Sequence, residues 1–190
     1  MTLTQDRKNE IIARWGKPYD IAIEYARDLP ASTKEREKIA AEQKNNEQEN
    51  EEIRAELQKK FQDRTITDDD IKKYKIWESM AIKPAHRVCP YSGKIISIED
   101  LFNGQKFQIE HVLPFARSFD DSRANKVIAT IQANRDKGNR TPWEAFHESP
   151  DESEYSWNKI QDRLKHMRPD LRWRFEEGAM ERFKKRAGPI

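Results

Sequence analysis

The sequence predicts an α+β, mostly helical protein, and three observations carry that expectation. Charged residues make up 37% of the 190-residue chain and hydrophobic residues 35%, so a compact core can occupy only part of the length and the rest should be exposed helix. Period-2 apolar patterning occurs in short stretches, around residues 21–25, 107–111 and 126–131, enough for a small sheet. Helix-start signatures recur, clearest in Thr141-Pro142-Trp143-Glu144, where Thr141 reads as the N-cap, Pro142 as the first helical residue and Glu144 as the closure of a capping box.

Along the chain, residues 5–15 read as a short helix with Ile11, Ile12 and Trp15 on one side and Gly16 as its stop. Ile21, Ile23 and Tyr25 alternate with Ala22, Glu24 and Ala26, which predicts a strand. Residues 31–62 carry seven Lys/Arg and eight Glu and read as one long polar helix. Its apolar stripe is poor until Ile53, Leu57 and Phe61. A second helix follows, with Asp68, Asp69 and Asp70 at its dipole-favoured start. Pro90 and Gly93 mark a turn before the Ile95-Ile96-Ile98 run. Phe107–His111 and Lys126–Ile131 are strand candidates, and a helix should begin near Asn134. Ser149-Pro150-Asp151-Glu152 repeats the cap signature, and two amphipathic helices broken near Pro169 complete the chain.

The charge balance is nearly neutral, +2, which does not predict strong free-standing DNA affinity. A single cysteine, Cys89, precludes an intrachain disulfide and a CxxC zinc knuckle; it reads as a small buried apolar group, and a reducing, cytoplasmic setting fits. No apolar run of spanning length occurs, so no membrane partner is expected.

The densest chemistry lies in Phe107-Gln-Ile-Glu-His-Val-Leu-Pro-Phe115 and the residues after it. Glu110 and His111 end a strand. A strand–loop–strand–helix unit would fold them toward Asn134. Hard cations such as Mg²⁺ take oxygen ligands and keep several waters, so Glu110 and the Asn134 amide oxygen could supply a site. An imidazole titrating near about 6.5 can take a proton from water at neutral pH. Metal plus base is a hydrolysis set for a phosphodiester. Lys137, one helical turn beyond Asn134, could hold a phosphate. Asp120 and Asp121 could bind a metal but read first as turn or cap residues, Asn125 reads as a loop hydrogen-bonding residue, Trp143 and Phe146 as core, and His86, His147 and His166 as ordinary histidines.

The segments Cys-Pro-Tyr-Ser-Gly-Lys (89–94), Ile-Glu-His-Val-Leu-Pro-Phe (109–115), Asp-Asp-Ser-Arg-Ala-Asn-Lys-Val (120–127) and Ala-Asn-Arg-Asp-Lys-Gly-Asn-Arg-Thr-Pro-Trp-Glu-Ala-Phe (133–146) resemble the HNH nuclease domain of CRISPR type II effector nucleases, the compact type II-C proteins especially. Upstream, Lys-Pro-Tyr-Asp-Ile-Ala-Ile-Glu-Tyr-Ala-Arg-Asp (17–28) resembles their middle RuvC-like motif. The two occur in the family's order, and Met1 stands directly before a partial motif, as in an excised piece. The resemblance implies a ββα-metal HNH core with flanking helices and a long charged linker helix. It implies a partial RuvC-like segment at 1–30, a helical linker at 31–83, the HNH domain at 84–167, and its C-terminal helical part with the start of a second linker at 168–190. It further implies a Mg²⁺-dependent endonuclease, with Mn²⁺ able to substitute, in which His111 is the general base, Asn134 is catalytic and metal-binding, and Glu110 stands at a metal ligand that is usually Asp. Asn125 would support the site loop, Lys137 would lie near the bound strand, and Glu24 would be a RuvC-like carboxylate without its companions. The implied partners are the DNA target strand, the guide RNA–DNA heteroduplex and the remainder of a bacterial cytoplasmic effector. A free-standing HNH nuclease and a non-catalytic helical interaction module on an HNH scaffold are the alternatives.

Overall fold

The computed structural model describes residue 10, residues 12–14, 16, 32–102 and 105–187. The expected strand at Ile21–Tyr25, with Glu24, lies outside the described residues. By chain compactness, residues 1–48 form one unit and residues 49–190 another.

The long charged helix forms as its composition predicts. Helix α1 runs Thr33–Lys60, with Glu35 in its first turn and Lys59 and Lys60 in its last, both favourable to the helix dipole. In its first half the described side chains are exposed, Ile39 among them. In its second half Ile53 and Leu57 are buried, one turn apart on one face. Helix α2, Asp68–Met80, opens on a capping box: Thr67 accepts from the Asp70 N–H, and the Asp70 side chain accepts from the Thr67 N–H. It buries Ile71, Ile76, Trp77 and Met80, and the buried Trp77 indole N–H is satisfied by the Ile96 carbonyl at 2.8 Å. The apolar faces at the end of α1 and along α2 enter the same core as Tyr91, Leu101, Val127, Leu171 and Phe175.

The residues 89–94 turn forms as Pro90 and Gly93 predict. The Gly93 N–H bonds Cys89 O, and the Cys89 N–H bonds Lys94 O. Gly93 has φ +75, and a Cβ there would lie 2.7 Å from Arg163 Nε, so only glycine fits. The apolar run after the turn makes only a single bridge, Val88 with Ile95, before helix α3, Ile98–Phe102.

Strand β1, Phe107–His111, pairs antiparallel with strand β2, Lys126–Thr130, in a two-stranded sheet. Register sets Glu110 opposite Val127 and His111 opposite Lys126. Between them lie helix α4, Phe115–Ser118, and a 3₁₀ turn, Arg123–Asn125. Helix α5 spans Ile131–Lys137 and starts three residues earlier than expected at Asn134. The cap is the reason: Thr130 Oγ1 accepts the Ala133 N–H, so Asn134 sits inside the helix rather than at its mouth.

Helix α6, Pro142–Phe146, has the predicted Thr141/Glu144 capping box. The second cap signature, at residues 149–152, starts no helix. Residues 151–155 are turn, and helix α7, Trp157–Leu164, begins later, after Ser156. Helix α8, Pro169–Arg172, and helix α9, Ala179–Ala187, end the described chain.

Two measurements check this division of α1. Amide exchange should be fast over residues 33–48 and strongly slowed around Ile53 and Leu57. In urea unfolding, Leu57→Ala should cost about 2–5 kcal/mol as a buried large-to-small change, whereas Ile39→Ala should stay within about 0.5 kcal/mol.

Candidate active site

The end of β1, the start of α4 and the C-terminal half of α5 enclose a cleft of about 200 Å³ lined by Glu110, His111, Phe115, Asn134, Lys137 and Gly138 among others. Three of the residues singled out for chemistry, Glu110, His111 and Asn134, thus come together, although Glu110 and His111 are neighbours on a strand and leave it on opposite sides. The site lies where the strand ends, so both remain within reach of α5.

Glu110 is the most constrained of the three. Only 2% of it is exposed. Its Oε1 accepts from Lys137 Nζ at 2.9 Å, and its Oε2 accepts the Tyr91 hydroxyl proton at 2.6 Å. Burial first, then the Glu110 carboxylate, hold the Tyr91 phenol well above its usual range, so Tyr91 remains a donor. Tyr91 is itself fixed from behind: the Arg163 guanidinium donates to the Pro90 and Tyr91 carbonyls.

Lys137 departs from the expectation of a phosphate contact. Its side chain has no exposed surface, and its ammonium group donates to Glu110, to Arg140 O at 2.9 Å and to Gly138 O at 3.4 Å. All three N–H bonds are committed. The helix that carries Lys137 turns it toward the buried carboxylate, and burying either charge alone would be costly. The Asn134 carboxamide lines the same cleft and is drawn into none of these bonds.

His111 is about one-quarter exposed, and its Nε2 lies 2.7 Å from Asp121 Oδ1. The same oxygen accepts from Lys126 Nζ at 2.8 Å. Lys126 first, then His111, hold the Asp121 carboxyl below its usual range. The Phe115 ring lies 5.5 Å from the imidazole, and Phe119 packs on Phe115 edge-on at 6.0 Å.

The loop from 112 to 125 is held by Asn125, which is fully buried. Its Oδ1 accepts the Leu113 N–H, and its Nδ2 donates to the Leu113 and Asp120 carbonyls, each at 2.9 Å. This is the loop-bonding role the sequence predicts. Arg168 closes the other side, with Nη2 shared among the carbonyls of Arg123, Ala124 and Lys126. Arg117 pairs with Glu144 through two nitrogen–oxygen contacts and ties α4 to α6.

Sequence reasoning missed Tyr91 and Arg168, and it read Asp121 as a turn residue or metal ligand where the structure pairs it with His111 and Lys126. Tyr91 lies nineteen positions from Glu110, and Arg168 is remote from the loop that it binds. Asp121 carried a signal: an acid after the strand-ending histidine and before Lys126, its cross-strand partner. Among the described residues, no group of three or more His, Cys, Asp or Glu side chains is placed to hold a metal ion, and no helix is long and apolar enough to cross a membrane.

Residues 89–143 match the HNH endonuclease family. The chain is 48% identical over 64 residues to the CRISPR-associated endonuclease Cas9 1 of Streptococcus thermophilus, covering 33% of this chain and 6% of that protein. It is 40% identical over 79 residues to the Cas9 of Campylobacter jejuni, covering 42% of this chain and 8% of that one. The chain therefore spans a small part of these relatives' length. Among solved structures, Streptococcus thermophilus Cas9 in complex with the GGAA PAM aligns over 90% of this chain and 17% of its own, at TM-score 0.55 and 26% identity. The type II-C Cas9 of Actinomyces naeslundii shares the fold over 93% of this chain and 19% of its own, at TM-score 0.55 and 19% identity. Residues 89–143, where Glu110, His111 and Asn134 gather at one cleft, match the HNH endonuclease family and are similar to part of the CRISPR-associated endonuclease Cas9.

Proposed function

We propose that this chain hydrolyses DNA phosphodiesters in a metal-dependent reaction, as the ββα-metal nuclease part of an RNA-guided effector, with the guide-paired target strand as substrate. The convergence of His111, Glu110 and Asn134 on one cleft carries this reading. His111 takes a proton from the attacking water. The strand's phosphate enters from the open side of the cleft, past Phe115.

The donor set suits a hard cation. A carboxylate offers about four lone-pair positions. Lys137 and Tyr91 use two on Glu110, leaving two, and Asn134 Oδ1 adds a neutral oxygen. Two protein oxygens with retained waters are a familiar Mg²⁺ arrangement, and Mn²⁺ accepts the same ligands. Such an ion would polarise a phosphoryl oxygen and offset the charge that builds up in the transition state. Lys137 and Tyr91 hold the Glu110 carboxylate in place, and Asn125 and Arg168 hold the loop that carries the cleft's outer wall. Recognition of sequence belongs to base pairing with a guide, and recognition of heteroduplex shape to the protein, so the remainder of the effector and a guide RNA–DNA heteroduplex are the proposed partners. Glu24 belongs to a RuvC-like motif whose companion carboxylates are not in this chain, and it plays no part in this cleavage.

The test is incubation of the chain with an end-labelled DNA strand annealed to RNA, in Mg²⁺, Mn²⁺ or EDTA. Internal cuts in the DNA strand should need the metal, and His111→Ala should slow them by about 10²–10⁴-fold, while Glu24→Ala leaves the rate unchanged. Cleavage that survives EDTA, or His111→Ala cutting like the parent, contradicts the mechanism. A folded chain that cuts with neither metal favours the scaffold reading, to which the contact of Lys137 and Tyr91 with one Glu110 oxygen each lends support.

The buried pair makes a separate prediction about stability. Lys137→Met leaves a carboxylate buried without its counter-charge and should cost about 3–5 kcal/mol in urea unfolding. Adding Glu110→Gln to it should recover a large part of that loss, because the unpaired charge is then gone.

A further inference from the structure

We infer that Asp121 is a positioning residue for the proposed reaction: it accepts the His111 Nε2 proton, fixes the ring, and thereby presents Nδ1 as the basic nitrogen. This deepens the nuclease reading and rests on it.

Neutral imidazole has one N–H and one lone pair, and the partner of one nitrogen decides the role of the other. Asp121 Oδ1 lies 2.7 Å from His111 Nε2. That oxygen already accepts from the Lys126 ammonium at 2.8 Å, and these two contacts keep the carboxyl below its usual range, Lys126 contributing most. An ionised carboxylate only accepts. Nε2 must therefore carry the proton, and Nδ1 carries the lone pair.

The arrangement is built by the sheet and not by chance side-chain drift. Register places His111 directly across from Lys126, so the two basic side chains stand side by side at the strand end. Asp121 meets both from the loop that closes over them. That loop is anchored next to it, since Asn125 Nδ2 bonds the Asp120 carbonyl at 2.9 Å and Asp120 Oδ1 accepts the Ser122 N–H at 3.0 Å. The Phe115 ring bounds the imidazole at 5.5 Å, which limits ring rotation further. Positioning partners of this kind, a carboxylate behind a functional histidine, typically contribute about 10–100-fold where they have been removed.

Asp121 is about two-thirds exposed, so its replacement should leave the fold intact. The ¹⁵N-labelled chain would be measured by long-range ¹H–¹⁵N correlation at a pH where the His111 ring is neutral, together with heteroduplex cleavage by the same samples. The parent should show the proton on Nε2. Asp121→Ala should give a mixture of tautomers and cleave about 10–100-fold more slowly at unchanged KM. Asp121→Asn keeps an acceptor oxygen in nearly the same shape, so it should lie between the parent and Asp121→Ala in both readouts. A tautomer that is the same in the parent and in Asp121→Ala overturns the inference even if cleavage falls, and a changed tautomer with undiminished cleavage overturns it as well. Failure of the nuclease reading itself shows separately, as His111→Ala cutting like the parent.

Discussion

Lys137 and Glu110 meet at 2.9 Å with almost no surface left to solvent, and much of the domain is arranged around the need to satisfy them. An isolated buried charge costs several kcal/mol, and a buried pair repays that cost only when its remaining donors and acceptors are also met. Here they are. Two carbonyls just beyond α5 take the other ammonium protons, and Tyr91 gives its hydroxyl proton to the second carboxylate oxygen. Three separate pieces of chain, the 89–94 turn, β1 and the end of α5, are thereby fixed against one another. That is the geometry that brings Asn134 and His111 to the same cleft.

The cleft's outer wall is made of backbone, and it is controlled by side chains that bind carbonyls. Asn125 bonds both the N–H and the C=O of Leu113, and Arg168 gathers three carbonyls at the entry to β2. A loop of this length could sample many shapes, and ordering each residue costs roughly 1–2 kcal/mol. Concentrating the compensation in two polar side chains, Asn125 buried and Arg168 half-buried, leaves Phe115, Phe119 and His111 free to face the cleft and its rim. The exposed Phe119 in a left-handed conformation, φ 52, sits where α4 ends and the loop reverses, with its N–H on Phe115 O.

Much of this was legible in the sequence where local chemistry decides. The Thr141–Glu144 box, the Gly93 turn, the two strands and the charged helix follow from caps, turns and periodicity, and they stand close to where those signals place them. The start of α5 did not, because Thr130 competed with Asn134 for the cap and a β-strand ending in threonine hides that competition. The fate of Lys137 was not readable either. Spacing puts it on the face of Asn134, but whether an ammonium on that face meets solvent or a buried carboxylate depends on Tyr91 and the core behind it. The end of α1, by contrast, is legible: its apolar stripe at Ile53 and Leu57 enters the core, as does the α2 face. Glu110 and His111 were found by their adjacency, and Asp121 was read first as a turn or cap residue because a paired Asp before serine looks like a turn.

The proposed reaction requires the Glu110–Asn134 cleft to accept a divalent cation while Lys137 still holds the carboxylate. Paramagnetic line broadening by substoichiometric Mn²⁺ in the ¹⁵N-labelled chain reads this out. Broadening should begin at the amides of Glu110, His111 and Asn134 and the side-chain amide of Asn134, excess Mg²⁺ should reverse it, and Asn134→Ala should weaken it. Broadening that begins at the acidic start of α2, Asp68–Asp70, with the cleft resonances unchanged, would contradict that requirement.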